Sequence, residues 1–63
     1  MKEIRVPETI SVGELAALLG QAPLKVVGDL MDLGVFASLE QSLPFDMICK
    51  VALKYGYTAK KPA

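Results

Sequence analysis

Sixty-three residues, 52% apolar and 22% charged, are enough for one small globular domain and exclude both a multidomain enzyme and a charge-rich disordered segment. Seven Lys+Arg against seven Asp+Glu leave no net basic excess to draw the chain to nucleic acid or anionic lipid, so any such binding must be local. One cysteine and no histidine exclude an intrachain disulfide and the usual zinc sets, so stability rests on packing.

In chain order, Ile4 and Val6 alternate with Arg5 at strand period, and Pro7, which cannot donate to a ladder, ends the run or confines it to an edge. Ser11 and Glu14 make the S-x-x-E capping box of a first helix, with Ile10 and Leu15 at the two positions of a hydrophobic staple. Val12, Leu15, Ala16 and Leu19 give that helix one buried face, and Gly20 suits its left-handed stop. Only Gln21 and Ala22 precede Pro23, whose fixed φ fits the first turn of a second helix, so the joint is a sharp helix-turn-helix corner. The second helix runs to about Leu33, with Val26, Val27, Leu30 and Met31 inward and Lys25, Asp29 and Asp32 outward. Gly34 ends it, and Val35 is placed to touch Leu30 across a Schellman turn.

Val35 to Leu39, short, apolar and partly β-branched, reads as a strand. Ser42 and Pro44 signal a third helix with Phe45, Ile48, Cys49, Ala52 and Tyr55 as its buried stripe and Gly56 as its end. Tyr57 to Ala59 can add a last short strand. The order β-α-α-β-α-β predicts a mainly α (small α+β) fold: a compact three-helix domain with a helix-turn-helix-like corner and two or three short strands, winged-helix-like in outline. Its predicted core is Ile10, Leu15, Leu19, Val27, Leu30, Val35, Phe45, Ile48, Ala52 and Tyr55. Residues 1–59 are expected to form the single folded module, and residues 60–63 the start of a linker. The longest uninterrupted apolar run, Leu15 to Leu19, is far short of the roughly 20 residues that span a bilayer, and Lys2-Glu3-Ile4-Arg5 is no signal-peptide core. A soluble, cytoplasmic chain with no membrane partner is expected.

The inventory argues against catalysis. A serine or cysteine nucleophile needs an adjacent base, usually histidine; Ser11 is committed to a cap, and Cys49 falls on an apolar stripe. The five glycines form neither G-x-x-x-x-G-K-[ST] nor G-x-G-x-x-G. Asp29 and Asp32 read as a solvated face rather than an acid/base pair. No catalytic, cofactor or metal site is predicted.

Charge is nevertheless polarised. Residues 1–46 hold all seven acids but only Lys2, Arg5 and Lys25, whereas Lys50, Lys54, Lys60 and Lys61 follow without an acid. Lys50 and Lys54 lie one turn apart on the third helix with Tyr57 just beyond, a set that can meet RNA phosphates and stack on a base. The same lysines can simply complement the helix dipole, pair with Asp46 and solubilise a tail. Lys50, Lys54, Tyr57, Lys60 and Lys61 are therefore the candidate nucleic-acid or partner contacts. A DNA-reading helix-turn-helix is the rival, but its recognition helix would carry Lys25 against Asp29 and Asp32, which phosphate repels. A pure protein–protein adaptor is the other alternative and requires an exposed apolar patch.

Three strings carry a further likeness. Ser11-Val12-Gly13-Glu14-Leu15-Ala16, Leu30-Met31-Asp32-Leu33-Gly34-Val35-Phe36-Ala37 and Glu40-Gln41-Ser42-Leu43-Pro44-Phe45-Asp46 resemble the N-terminal module of bacterial translation initiation factor two, over roughly Val6 to Tyr57. They are capping, turn and core positions, not a catalytic motif. Ala22 departs from the pattern, standing where a capping serine or threonine is expected. The resemblance implies a non-catalytic N-terminal module of a multidomain GTPase that helps bring initiator tRNA to the small ribosomal subunit and promotes subunit joining. The GTP site would lie in later domains, leaving no cofactor in this chain. Implied partners are the small ribosomal subunit or ribosomal RNA and the downstream domains of the same factor, with this module a monomer. Modules of that family are similar in shape to small accessory domains of some aminoacyl-tRNA synthetases and to winged-helix-like folds, an analogy of fold that does not assign function.

Overall fold

The structure is a computed structural model, and it describes residues 2–62. Helix α1 (Val12–Leu19) starts at the capping box: the Glu14 N–H donates to Ser11 Oγ at 3.2 Å, and the Ser11 N–H donates back to Glu14 Oε1 at 3.3 Å. The two N–H groups that the box leaves over are met from a distant segment, with Val12 donating to the Gln41 carbonyl (3.1 Å) and Gly13 to the Leu39 carbonyl (3.0 Å). All four orphan donors at this end, Ser11 to Glu14, thus find acceptors. This corrects the strand expected at Val35 to Leu39: no strand forms there, and the carbonyls just beyond the turn cap α1 instead of entering a ladder.

A three-residue corner leads into α2 (Pro23–Asp32), whose N-cap, Ala22, makes no side-chain cap bond. At its far end Gly34, at φ +83°, lets the chain reverse: its N–H reaches the Met31 carbonyl at 2.9 Å and that of Val35 the Leu30 carbonyl at 2.8 Å. This is the Schellman pair the sequence predicts. The inward face of α2 differs from the expectation. Val26 and Leu30 are fully buried, Val27 is half-buried, Met31 is 50% exposed, and Asp29, expected outward, is buried. Helix α3 (Phe45–Lys54) buries Ile48, Val51 and Ala52, leaving Phe45, Cys49 and Tyr55 half-buried against the core. Its buried stripe is rotated toward Val51, leaving Cys49 at the margin beside β4 (Tyr57–Lys60), with the thiol 4.0 Å from the Ala59 carbonyl.

The strands decide the fold class. β1 (Lys2–Arg5) runs parallel to β4, in the register Lys2 to Tyr57, Glu3 to Thr58, Ile4 to Ala59 and Arg5 to Lys60. Val6 extends the pairing by donating to the Lys60 carbonyl at 2.9 Å. β2 (Ile10–Ser11) pairs antiparallel with β3 (Ser42–Leu43) in a separate two-stranded sheet. With 46% helix and 20% strand in two small sheets, the domain is a small α+β fold. This corrects the three-helix, winged-helix-like outline: a wing is an antiparallel hairpin, whereas here the two ends of the chain pair in parallel. Lys60, expected to open a linker, is the last residue of β4.

One cluster fills the centre: Val6, Ile10, Val12, Leu15, Ala16, Leu19, Val26, Leu30, Leu43, Ile48, Val51, Ala52 and Ala59. Of the predicted core, Ile10, Leu15, Leu19, Leu30, Ile48 and Ala52 belong to it, while Val27, Val35, Phe45 and Tyr55 pack half-buried around it. Among the described residues no helix is long and apolar enough to cross a membrane.

Candidate functional site

The candidate lysines divide into two kinds. Lys54, at the end of α3, is committed internally: its Nζ lies 3.0 Å from Asp29 Oδ1 and 3.5 Å from Asp32 Oδ2. Tyr55 donates its hydroxyl to the other Asp29 oxygen, Oδ2, and the Lys25 ammonium sits 5.4 Å from the centre of the Tyr55 ring. Burial of Asp29 is tolerated because the Lys54 ammonium and the Tyr55 hydroxyl meet its two carboxylate oxygens. The hydrogen bond that Lys54 donates to Asp29, together with the negative charge of that carboxylate, raises the Lys54 pKa above the ordinary lysine value of 10.5. This cluster holds α2 to α3 and takes Lys54 out of the free surface.

Lys61 is partly engaged, 3.9 Å from Glu8 Oε1 and 5.5 Å from the centre of the Phe45 ring. With side chains 60% and 74% exposed, the Lys61–Glu8 pair contributes little. Lys50 and Lys60 are exposed and, among the described residues, make no ion pair; the Asp46–Lys50 pair that would have neutralised one of them does not form. Tyr57 is half-buried, packed on the core and opposite Lys2 in the ladder. Its ring is therefore not a free stacking platform.

Arg5 joins this surface although sequence spacing does not point to it. It stands beside Lys60 in the parallel register, and its Nη1 donates to the Lys61 carbonyl at 3.2 Å. No local signal reveals it, because the pairing joins the two ends of the sequence. Arg5 also borders an open cleft of about 440 Å³ lined by Pro7, Ile10, Glu14, Ala17 and Leu18. Elsewhere, Leu24 (75%) and Phe36 (77%) are strongly exposed, with Met31 and Leu33 exposed between them in the chain. Among the described residues no group of His, Cys, Asp or Glu is placed to hold a metal ion.

Comparison with known proteins agrees with the pattern of caps and turns. Residues 7–58 match the family described as Translation initiation factor IF-2, N-terminal region. The chain is 42% identical over 60 residues to translation initiation factor IF-2 of Aquifex aeolicus, covering 95% of this chain and 8% of that protein. It is 38% identical over 58 residues to the factor of Caldicellulosiruptor saccharolyticus, covering 92% and 7%, and 38% identical over 60 residues to that of Desulfosudis oleivorans, covering 95% and 7%. The chain thus spans less than a tenth of the length of these relatives. The matched stretch takes in the capping box, the Gly34 turn and the whole of α3, and on this ground the chain belongs to the family of the N-terminal region of translation initiation factor IF-2.

Proposed function

We propose that this chain is a non-catalytic docking module of the initiation factor, acting in the cytoplasm and contacting the small ribosomal subunit, its RNA in particular, through the outer surface of α3 and β4. The observation that carries the reading is the pair of exposed lysines, Lys50 and Lys60, that no carboxylate neutralises among the described residues, with the weakly held Lys61 beside them. Exposed cations with no internal carboxylate partner are free to meet an external anion such as phosphate. In the longer factor, GTP binding and hydrolysis and the handling of initiator tRNA would belong to other domains.

The test is co-sedimentation of the chain with purified small ribosomal subunits. Lys50→Gln, Lys60→Gln and Lys61→Gln together should reduce binding, whereas retention equal to that of the wild-type chain removes these lysines from the mechanism. Lys54 stays unchanged in the test because its loss would loosen α2 from α3. A protein-binding reading is favoured by one observation, the exposed Leu24, Met31, Leu33 and Phe36. Loss of subunit binding in Leu24→Ser/Phe36→Ser, with the lysine variant unaffected, would select it.

A further inference from the structure

The outer face of the β1–β4 pair and the cleft beside it form a second feature, which shares Lys60 with the docking surface and adds Arg5 to it. Ile4 and Ala59, register partners, pack on the core, so alternation places the next pair, Arg5 and Lys60, side by side on the opposite, solvent face. Like charges directly across a strand pair repel, and among the described residues neither makes an ion pair. Glu3, the acid on the same face, stands opposite Thr58 and pairs with neither cation. The bond from Arg5 Nη1 to the Lys61 carbonyl steadies the guanidinium and leaves its remaining N–H groups for a ligand.

Arg5 is also one wall of the 440 Å³ cleft, whose floor is Pro7, Ile10, Ala17 and Leu18 and whose acid is Glu14. Both the N–H and the hydroxyl of Ser11 donate to Glu14 Oε1. The carboxylate is thereby fixed in place while Oε2 remains an acceptor. A cationic lip, an apolar floor and a fixed acceptor match the three parts of one nucleotide: phosphate, base face and base amino group. An acidic peptide matches the lip and the floor only.

We propose that this cleft binds one nucleotide of single-stranded RNA, with phosphate on Arg5 and Lys60, the base against Pro7, Ile10 and Leu18, and its amino group donating to Glu14. The proposal rests on the RNA-docking reading and adds to it a site, a strand state and a base preference.

Fluorescence anisotropy of the chain with labelled single-stranded oligo(C), oligo(U) and an RNA duplex of equal length tests it. Oligo(C) should bind more tightly than oligo(U), which lacks an amino group, and more tightly than the duplex. Arg5→Gln should weaken oligo(C) binding on the order of 10-fold, the loss of a charge-assisted hydrogen bond, and flatten the log–log salt dependence by about 0.7; Arg5→Lys should recover most of that slope. Ala17→Trp, which fills the cleft, should bring oligo(C) down to the oligo(U) level with the salt slope unchanged. If Lys50→Gln weakens RNA binding while Arg5→Gln and Ala17→Trp do not, the cleft proposal is overturned and the docking reading stands. If the wild-type chain binds none of these RNAs, or prefers an acidic, leucine-containing peptide, the cleft proposal is overturned, and co-sedimentation with the small subunit decides the docking reading separately.

Discussion

Tyr55, the residue just after α3, donates its hydroxyl to Asp29 in α2, across 26 residues of sequence. With Lys54 on the second carboxylate oxygen, this hydrogen bond turns an acid that helical spacing alone would leave in solvent into the one buried charged side chain among the described residues. Removing the carboxylate leaves the Tyr55 hydroxyl without its acceptor, and removing the hydroxyl leaves a buried oxygen without its donor. Asp29→Ala should lower unfolding stability by about 1–3 kcal/mol and Tyr55→Phe by about 1 kcal/mol. The double variant should be destabilised by less than the sum, since both changes break the same hydrogen bond. Urea denaturation of the four proteins checks this, and strict additivity would show that the two residues do not act together.

The raised Lys54 pKa fixes the sign of one pH effect. Asp29 hydrogen-bonds and attracts the charged ammonium, so the folded pKa lies above the ordinary 10.5. The stabilisation is therefore fully present below the unfolded value and is lost as pH rises through the folded one. Between neutral pH and about pH 10 the contribution should be constant, and above 10.5 the wild-type chain should lose stability more steeply than Lys54→Gln. Parallel stability curves for the two proteins above that pH would remove the ion pair from the account.

Gly28 offers a test in the opposite direction. It lies in the interior of α2, exposed, and a Cβ built there meets nothing within 4 Å. Glycine in a helix interior loses more backbone entropy on folding than alanine does. Gly28→Ala should therefore raise stability by about 0.5–1 kcal/mol, seen as a higher denaturation midpoint with an unchanged slope.

The N-terminal cap of α1 gives a fourth stability prediction. Ser11→Ala removes the acceptor of the Glu14 N–H and should cost about 1 kcal/mol. The cost should stay near that figure, because the Val12 and Gly13 donors are held separately by the Gln41 and Leu39 carbonyls. A much larger loss would mean that the 39–41 segment comes away with the cap.

What can be read from the sequence is what is local. The capping box at Ser11 and Glu14, the Gly34 turn and the limits of α3 each depend on residues within a few positions of one another, and each forms as expected. What escapes such reading is non-local. Val6, Leu43 and Ala59 are buried only because β1 meets β4 and β2 meets β3, and two-residue strands such as Ile10–Ser11 have no period to detect. The segment from Val35 to Leu39 has strand-like composition, yet no strand partner lies beside it. Within the candidate surface, Lys50 and Lys60 are exposed as expected, but Lys54 is a structural residue because its acids lie on another helix. Arg5 is invisible for the same reason, since only the parallel register brings it to Lys60.

The most direct test of the docking account is the salt dependence of the affinity of the chain for the small ribosomal subunit, compared with that of the Lys50→Gln/Lys60→Gln/Lys61→Gln variant. Each phosphate that the variant no longer neutralises should flatten the slope of log affinity against log salt by about 0.7–0.9. The account predicts weaker binding with a slope shallower by about 2–3, for three phosphates at that rate. An affinity and slope identical to those of the wild-type chain would contradict it.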